Sequence, residues 1–393
     1  MTLSLRKINI SQFRCYDALR LDLMDTKQRA AGMIVLTGPN GAGKTNILEA
    51  VSLLVPGKGL RSADMLEMKR REAKPEDVWA VSAEIETASG LTVRIGTGLL
   101  QEQDKKRRLV RINGKDAKSQ SDLSGFIAAV WLTPQMDRLF LEGSSARRRF
   151  LDRLVFAYDP DHITRLNRYE KTLRERMKLL QLGRPADPQW LTALETQAAA
   201  DGVSIAAARV AVLEKLQQHV GTLSAAAPLF PQPHLSMTGW VEDTVTQHPA
   251  VDVEDILKGK MRTERGLDAQ TGRTQHGIHR SDLRTLYADK NIPAAQCSTG
   301  EQKALLVSII LAHALMMQAE KGYVPLILLD EVAAHLDSAR RAQLFTQLSA
   351  LKGQIWLTGT EEDIFNPLGS NAKFFCLDNG HVVQNVGLRV AAS

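Results

Sequence analysis

The stretch MIVLTGPNGAGKTNILEAV, residues 33–51, constrains this chain more than any other. Five strand-forming residues run into GxxxxGKT at Gly38 to Thr45, and a helical apolar period through Ile47, Leu48 and Val51 follows at once. A strand, a glycine-rich loop and a helix in that order belong to an α/β fold, in which the loop cradles an anion. Glycines at 38, 41 and 43 let the backbone wrap close, so that successive N–H groups and the helix N-terminus face phosphates. The residues expected to hold ATP are therefore Gly38, Pro39, Asn40, Gly41, Ala42, Gly43, Lys44, Thr45 and Asn46. Lys44 is expected to reach the β and γ phosphates, and the Thr45 hydroxyl to ligate Mg2+.

The stretch VPLILLDEVAAHLD, residues 324–337, supplies what such a loop needs opposite it. An apolar run ending in Asp330 and Glu331 is expected to be a buried parallel strand that delivers acids at its carboxyl end, where α/β ligands sit. Asp330 would hold the metal, and Glu331 would orient or deprotonate an attacking water. Taken alone, an acidic pair there is more often a solvated strand end or a helix cap; beside the phosphate loop that order reverses. Earlier, CSTGEQKALLVSIILAHALMM puts small polar residues before a strongly apolar helix opened by Ser298 and Gly300. Two readings stand: an N-cap ahead of a core helix, or a second anion site serving another protomer.

Residues 1–140 alternate short β-rich runs with turns and read as an ATPase lobe carrying the phosphate loop. Residues 141–274 read as an inserted helical domain, with Leu166, Leu173, Met177 and Leu180 at helical spacing, a break at GRPADP, and another apolar period through Leu191, Leu194, Val212 and Leu216. Residues 275–393 return to strands and helices as a second ATPase lobe. The expected fold is thus α/β, with a mixed sheet built from both chain ends and a mainly helical insert.

Fifty Lys and Arg against 44 Asp and Glu leave +6, enough to favour an anionic partner only where the charge is clustered. No run approaches the roughly 18–20 apolar residues of a membrane span, and the first residues lack signal-peptide order, so no membrane is expected and the cytosol is the default. Cys15, Cys297 and Cys376 form no CxxC pair and read as ordinary reduced residues.

The three elements and their order resemble the ATP-binding cassette heads of the SMC-like family, with CSTGEQ standing where those heads carry LSGGQ. Cys297, Thr299 and Glu301 depart from that pattern; Ser298 and Gly300 match it. Within it, the chain is similar to the RecF family of bacterial recombination mediators. The resemblance rests on ISQFRCY at 10–16, GLRS at 59–62, LTPQMDRLFLEGSSARRRFLD at 132–152 and GIHRSDL at 277–283, the last differing from the usual GPHRDDL at Ile278 and Ser281. It implies a two-lobed head that binds ATP and Mg2+, forms an ATP-dependent homodimer around two nucleotides, binds DNA, hydrolyses ATP slowly, and works with RecO and RecR to load recombinase at gapped DNA. By the same resemblance Gln135 would touch the metal and the attacking water, Ser298, Gly300 and Glu301 would face nucleotide, and Asp337 would communicate across the dimer. Thr360 stands nearest to the switch histidine of transporter cassettes.

Two basic clusters are candidates for DNA. Residues 102–118 hold Lys105, Lys106, Arg107, Arg108, Arg111, Lys115 and Lys118 against Glu102, Asp104 and Asp116, a local +4. The second runs from Arg147, Arg148, Arg149 and Arg153 through Arg165, Arg168, Lys171, Arg174, Arg176 and Lys178, of which Arg165, Arg168 and Lys171 alternate with the core positions Leu166 and Leu173 and are expected on the exposed face of an amphipathic helix. Each is alternatively a solvated surface. Aromatic residues make up only 5%, so backbone contact with duplex or gapped DNA, without sequence specificity, suits this composition better than base stacking. An ATPase subunit of a transporter should be shorter and carry a histidine near Thr360. A structural SMC clamp needs hundreds of heptad residues between the motif halves.

Overall fold

The computed structural model describes residues 2–102, 105–182, 187–333 and 336–386, with the side chains at 101, 102, 105, 106 and 384–386 outside the description. The chain forms two compact units: Met1–Asp137, Thr222–Pro231 and Thr299–Ser393 make the first, and Arg138–Gly221 with Gln232–Ser298 the second. The insert therefore extends to Ser298, past the 274 boundary read from the sequence. The reason is strand pairing: Asp282–Tyr287 lies antiparallel between Pro233–Thr238 and Ile292–Pro293 in one three-stranded sheet.

In the first unit, the described strands form two six-stranded sheets. The mixed sheet runs His381–Val386, Ala372–Asp378, Met33–Thr37, Ile355–Gly359, Leu326–Leu329, Ala129–Leu132, all parallel except the first. Its central strands are buried along their whole length, which is why they read as unbroken apolar runs. Both ends of the chain contribute, as expected. The second sheet is antiparallel, in the order Tyr16–Asp22, Ser4–Phe13, Ala80–Glu86, Thr92–Glu102, Lys105–Ile112, Lys115–Asp116. Its buried positions alternate, as in Ala80–Glu86 with Val81, Ala83 and Ile85, and join Leu48, Val51, Trp131, Leu328 and Trp356 in one core.

Gln354 fastens the first strand to the mixed sheet. Fully buried, its Nε2 donates to the carbonyls of Leu5 (2.9 Å) and Ala31 (3.1 Å), while Oε1 accepts from Leu5 N (3.0 Å) and Trp356 Nε1 (3.2 Å). Every hydrogen-bonding position of the amide is used, which makes its burial tolerable. The helix Thr299–Lys321 has the length and hydropathy of a membrane span, contrary to the sequence reading, but 83% of its apolar window is buried inside the protein.

The second unit is mainly helical, as expected: Ser144–Tyr158, His162–Leu180, the 39-residue Pro188–Ala226 that passes into the first unit's share of chain after Gly221, and Ala250–Thr263 are its long helices. Two arginines are wholly internal. Arg176 donates to Glu195 (3.0 Å), Asp268 (2.7 Å) and the Met261 carbonyl (2.6 Å). Arg209 donates to both oxygens of Asp152 (2.8 and 2.9 Å), to Glu242 (3.0 Å) and to the Ile278 carbonyl (3.1 Å).

Candidate nucleotide-binding site

The phosphate loop leaves the strand Met33–Thr37 and enters the helix Lys44–Ser52. Gly38 and Gly43 are in left-handed conformations, with φ of 140° and 104°. A Cβ at 38 would lie 2.1 Å from the Leu377 carbonyl oxygen, and one at 43 would lie 2.4 Å from the Tyr16 hydroxyl. Only glycine fits either place, and the backbone is left free to approach an anion. Lys44 is buried, its Nζ donating to the carbonyls of Gly38 (2.6 Å) and Pro39 (2.9 Å). Burial lowers its pKa, against the charges of Glu331 and Asp330, which raise it.

The strand Leu326–Leu329 pairs in parallel with Ala129–Leu132 and Ile355–Gly359, so its next residue, Asp330, emerges at the carboxyl edge beside the loop. The Thr45 hydroxyl stands 3.0 Å from both carboxylate oxygens of Asp330. Thr358 Oγ1 donates to Asp330 Oδ1 (2.7 Å) and accepts from the Glu331 N–H (2.9 Å). Burial pushes the Asp330 pKa up; the hydrogen bonds from Thr358 and Thr45 oppose this without cancelling it. Glu331 is half-buried with a left-handed φ of 53°, a strained state for a non-glycine residue, held by the Thr358 contact. A hydroxyl and a carboxylate meeting beside a glycine cradle are hard oxygen donors suited to Mg2+ and phosphate, so these residues fit the group the sequence implied.

Gln135 is exposed in the short 3-10 turn Pro134–Arg138, just beyond the end of the strand adjoining that of Asp330. Gly300 and Glu301 lie in the first turn of Thr299–Lys321, with open space around Gly300, and Ser298 is exposed immediately before it. Asp337 caps Ser338–Ala350, accepting from Arg340 N at 2.8 Å. Thr360 is exposed after the strand that carries Thr358. Cys15 is exposed and accepts from Asn46 Nδ2 at 3.1 Å; Cys297 is buried and Cys376 partly so, all three free thiols.

Sequence reasoning missed three features here. Thr358 carries both acids, and its only signal was one hydroxyl residue inside the apolar strand Ile355–Gly359. Buried Glu49, on the helix after the loop, holds Arg14 through both oxygens (2.6 and 2.8 Å) and Arg61 (2.9 Å), while Arg61 also reaches Asn46 Oδ1 (2.8 Å). Lys303 is buried with its Nζ 3.4 Å from Asp137.

The basic clusters divide on inspection. Arg107 is exposed, and the side chains of Lys105 and Lys106 lie outside the described residues. Arg108 turns inward: it donates to Thr97 Oγ1 (2.7 Å), Gln120 (3.0 Å) and the carbonyls of Leu53, Val55 and Gly57, and burial pushes its pKa down to about 10. Arg147 is bidentate to Asp282 (2.7 and 2.9 Å), and Arg148 donates to Ser144 and the Ser281 carbonyl; Arg149 is exposed. On the helix His162–Leu180, Arg168 and Lys171 are exposed as expected, Arg168 paired with Asp201, whereas Arg176 of the same cluster is buried. His279 of GIHRSDL meets the Tyr169 hydroxyl (2.9 Å) and the Thr274 carbonyl (2.8 Å), and burial lowers its pKa. The segments RRRFLD and GIHRSDL are thus joined to one another inside the second unit.

Comparison with known proteins agrees with this fold. Residues 4–382 match the family described as RecF/RecN/SMC N terminal domain. The chain is 45% identical over 376 residues to a DNA replication and repair protein RecF of Mesorhizobium japonicum, covering 96% of each chain. It is 44% identical over 380 residues to the protein of the same name in Agrobacterium fabrum, covering 96% of this chain and 98% of that one. Among solved structures, the recombination mediator protein RecF with ATP, of the RecFOR pathway, superposes with a TM-score of 0.81 at 23% identity over 98% of both chains. An Smc head domain from Pyrococcus furiosus, bound to the C-terminal domain of ScpA, gives 0.53 at 14% identity over 96% of this chain and 95% of that one.

Proposed function

Because the chain belongs to the RecF/RecN/SMC N-terminal domain family, we propose that it is an ATP-dependent DNA-binding protein of DNA replication and repair, in which ATP hydrolysis acts as a slow release switch. The observation that carries this reading is the meeting of Thr45 with Asp330 beside a loop that admits only glycine at 38 and 43. The ATP named with a solved relative of the same fold points the same way.

In this reading the loop amides of 38–46 bind the phosphates, and Lys44 exchanges its two carbonyl partners for phosphate oxygens. Thr45 and Asp330 would hold Mg2+, with Gln135 beside them. When bound, that ion neutralises charge on the phosphoryl group. Glu331, its backbone fixed by Thr358, orients the attacking water and accepts its proton. Ser298, Gly300 and Glu301 face the nucleotide of a second protomer, and Asp337 adjoins the same interface. The homodimer is then held closed by ATP and opens on hydrolysis. Exposed Arg107 and Arg149, with Lys105 and Lys106, contact DNA phosphates. By family likeness, RecO and RecR are the partners with which recombinase is loaded at gaps.

The test is the solution mass of Glu331→Gln with and without Mg-ATP. Doubling from 43.4 kDa only with Mg-ATP is expected. A mass that nucleotide leaves unchanged would sink the dimeric switch.

A further inference from the structure

The helix Thr299–Lys321 is apolar almost throughout, yet a lysine is buried in its first turns. Lys303 is 4% exposed, and its ammonium lies 3.4 Å from Asp137 Oδ2. A buried ammonium survives only beside counter-charges. Asp137 is the first; Glu331 and Asp330 follow, close enough that their charges work against the lowering of the lysine's pKa by burial. Lys303 is thus paired with Asp137 and within electrostatic reach of Glu331 and Asp330, the acids of the nucleotide site.

The elements that carry these groups give the contact its meaning. Asp137 belongs to the turn Pro134–Arg138, which also presents Gln135. Lys303 shares the opening turns of its helix with Gly300 and Glu301. One ion pair therefore fastens the turn bearing Gln135 to the helix start that would face a second nucleotide. A solvated surface pair would do little. Here the lysine is buried and the aspartate only about one-third exposed, at 5% and 32% of their side-chain surfaces.

We propose that Lys303 is a positioning residue for ATP hydrolysis: paired with Asp137, it fixes the Gln135 turn against the signature helix. This rests on the hydrolytic reading given above. Lys303 touches neither the phosphate loop nor Thr45 among the described contacts, so binding and turnover should separate when it is changed.

The experiment compares Lys303→Met, Lys303→Arg, Asp137→Asn and the Lys303→Met/Asp137→Asn double variant with the wild-type chain, measuring Mg-ATP affinity, turnover and melting temperature. Lys303→Met should keep its ATP affinity and lose about tenfold or more in kcat, as outer supports of a metal site commonly do when removed. Asp137→Asn should reproduce that loss, the double variant should lose no more than the larger single loss, and Lys303→Arg should recover most of it. Unchanged turnover in Lys303→Met, or losses that multiply in the double variant, overturns the proposal. So does a loss of ATP affinity in step with melting temperature, which marks a merely structural lysine. If Lys303→Met does not fold, Asp137→Asn decides by the same criteria. A wild-type chain that binds ATP without hydrolysing it withdraws the hydrolytic reading and this role with it, whereas an active wild type matched by active variants removes this role alone.

Discussion

The Thr45 hydroxyl lies equidistant from the two oxygens of Asp330, 3.0 Å from each, although the residues are 285 apart in sequence. One comes from the N-terminal third of the chain and the other from the last fifth; two parallel strands, Met33–Thr37 and Leu326–Leu329, flank Ile355–Gly359 on either side and bring them to one edge. Their approach leaves a buried carboxylate supported by two hydroxyls, Thr45 and Thr358, with no cation in direct contact among its described bonds.

That arrangement should cost the nucleotide-free protein stability. The Asp330 pKa is raised by burial, so the folded state holds this proton more tightly than the unfolded state, and stability falls as pH rises through the interval between the two pKa values. At neutral pH, Asp330→Asn should therefore melt at a higher temperature than wild type without nucleotide, and gain less from Mg-ATP. Thermal melts with and without Mg-ATP test this, and a lower melting point in the nucleotide-free variant would refute it.

Lys44→Met should weaken ATP binding by about 1.5–3 kcal/mol, at least tenfold, the usual worth of hydrogen bonds to a charged group. Calorimetric titration with Mg-ATP reads this directly; normal affinity would remove Lys44 from the phosphate site.

The neighbours Arg107 and Arg108 should part company. Arg108→Ala strips donors from the carbonyls of Leu53, Val55 and Gly57 and should destabilise the fold by about 1–3 kcal/mol. Arg107→Ala should leave stability within about 0.5 kcal/mol. If Arg107 contacts a DNA phosphate, its removal should lower the salt dependence of binding by about one counterion. Urea melts and salt-dependent DNA binding separate the two effects; equal effects of both substitutions on DNA binding, with stability untouched, would contradict the inward path of Arg108.

In the second unit, Arg209→Met should cost about 3–5 kcal/mol, because it leaves Asp152 and Glu242 buried without their cation. Burial pushes the Asp152 carboxyl up, but the charge and hydrogen bonds of Arg209 and His162 more than offset this and hold it at about 2. Its contribution is therefore complete above the unfolded value of 3.8 and disappears as pH falls through about 2. Circular dichroism during acid titration should show Asp152→Asn losing less stability over that interval than wild type does.

The phosphate loop, the acidic strand end and the sheet built from both chain ends were legible because each is carried by contiguous residues whose period or spacing speaks for itself. Charge counting failed where direction mattered. In Lys105–Ile112, strand alternation sets Arg108 on the face of Val110 and Ile112, opposite Arg107, and that signal was available. Arg176 is likewise in helical phase with Tyr169, Thr172 and Leu179, all buried, so periodicity could have marked it as internal. No local pattern could reveal its partners, since Glu195 and Asp268 come from other helices. Thr358 and Lys303 were hidden for the same reason: their meaning lies in residues tens or hundreds of positions away.

The bond between Leu5 and Gln354 spans 349 residues, and Met33–Thr37 finds both of its sheet neighbours only after position 354. During synthesis from the N-terminus, the strand that leads into the phosphate loop must wait, apolar and unpaired on both edges, until nearly the whole chain has been made. Most of the second unit is complete long before then. The order of assembly is therefore the reverse of the order of reading: the insert can settle first, and the nucleotide site, encoded at the outset, closes last.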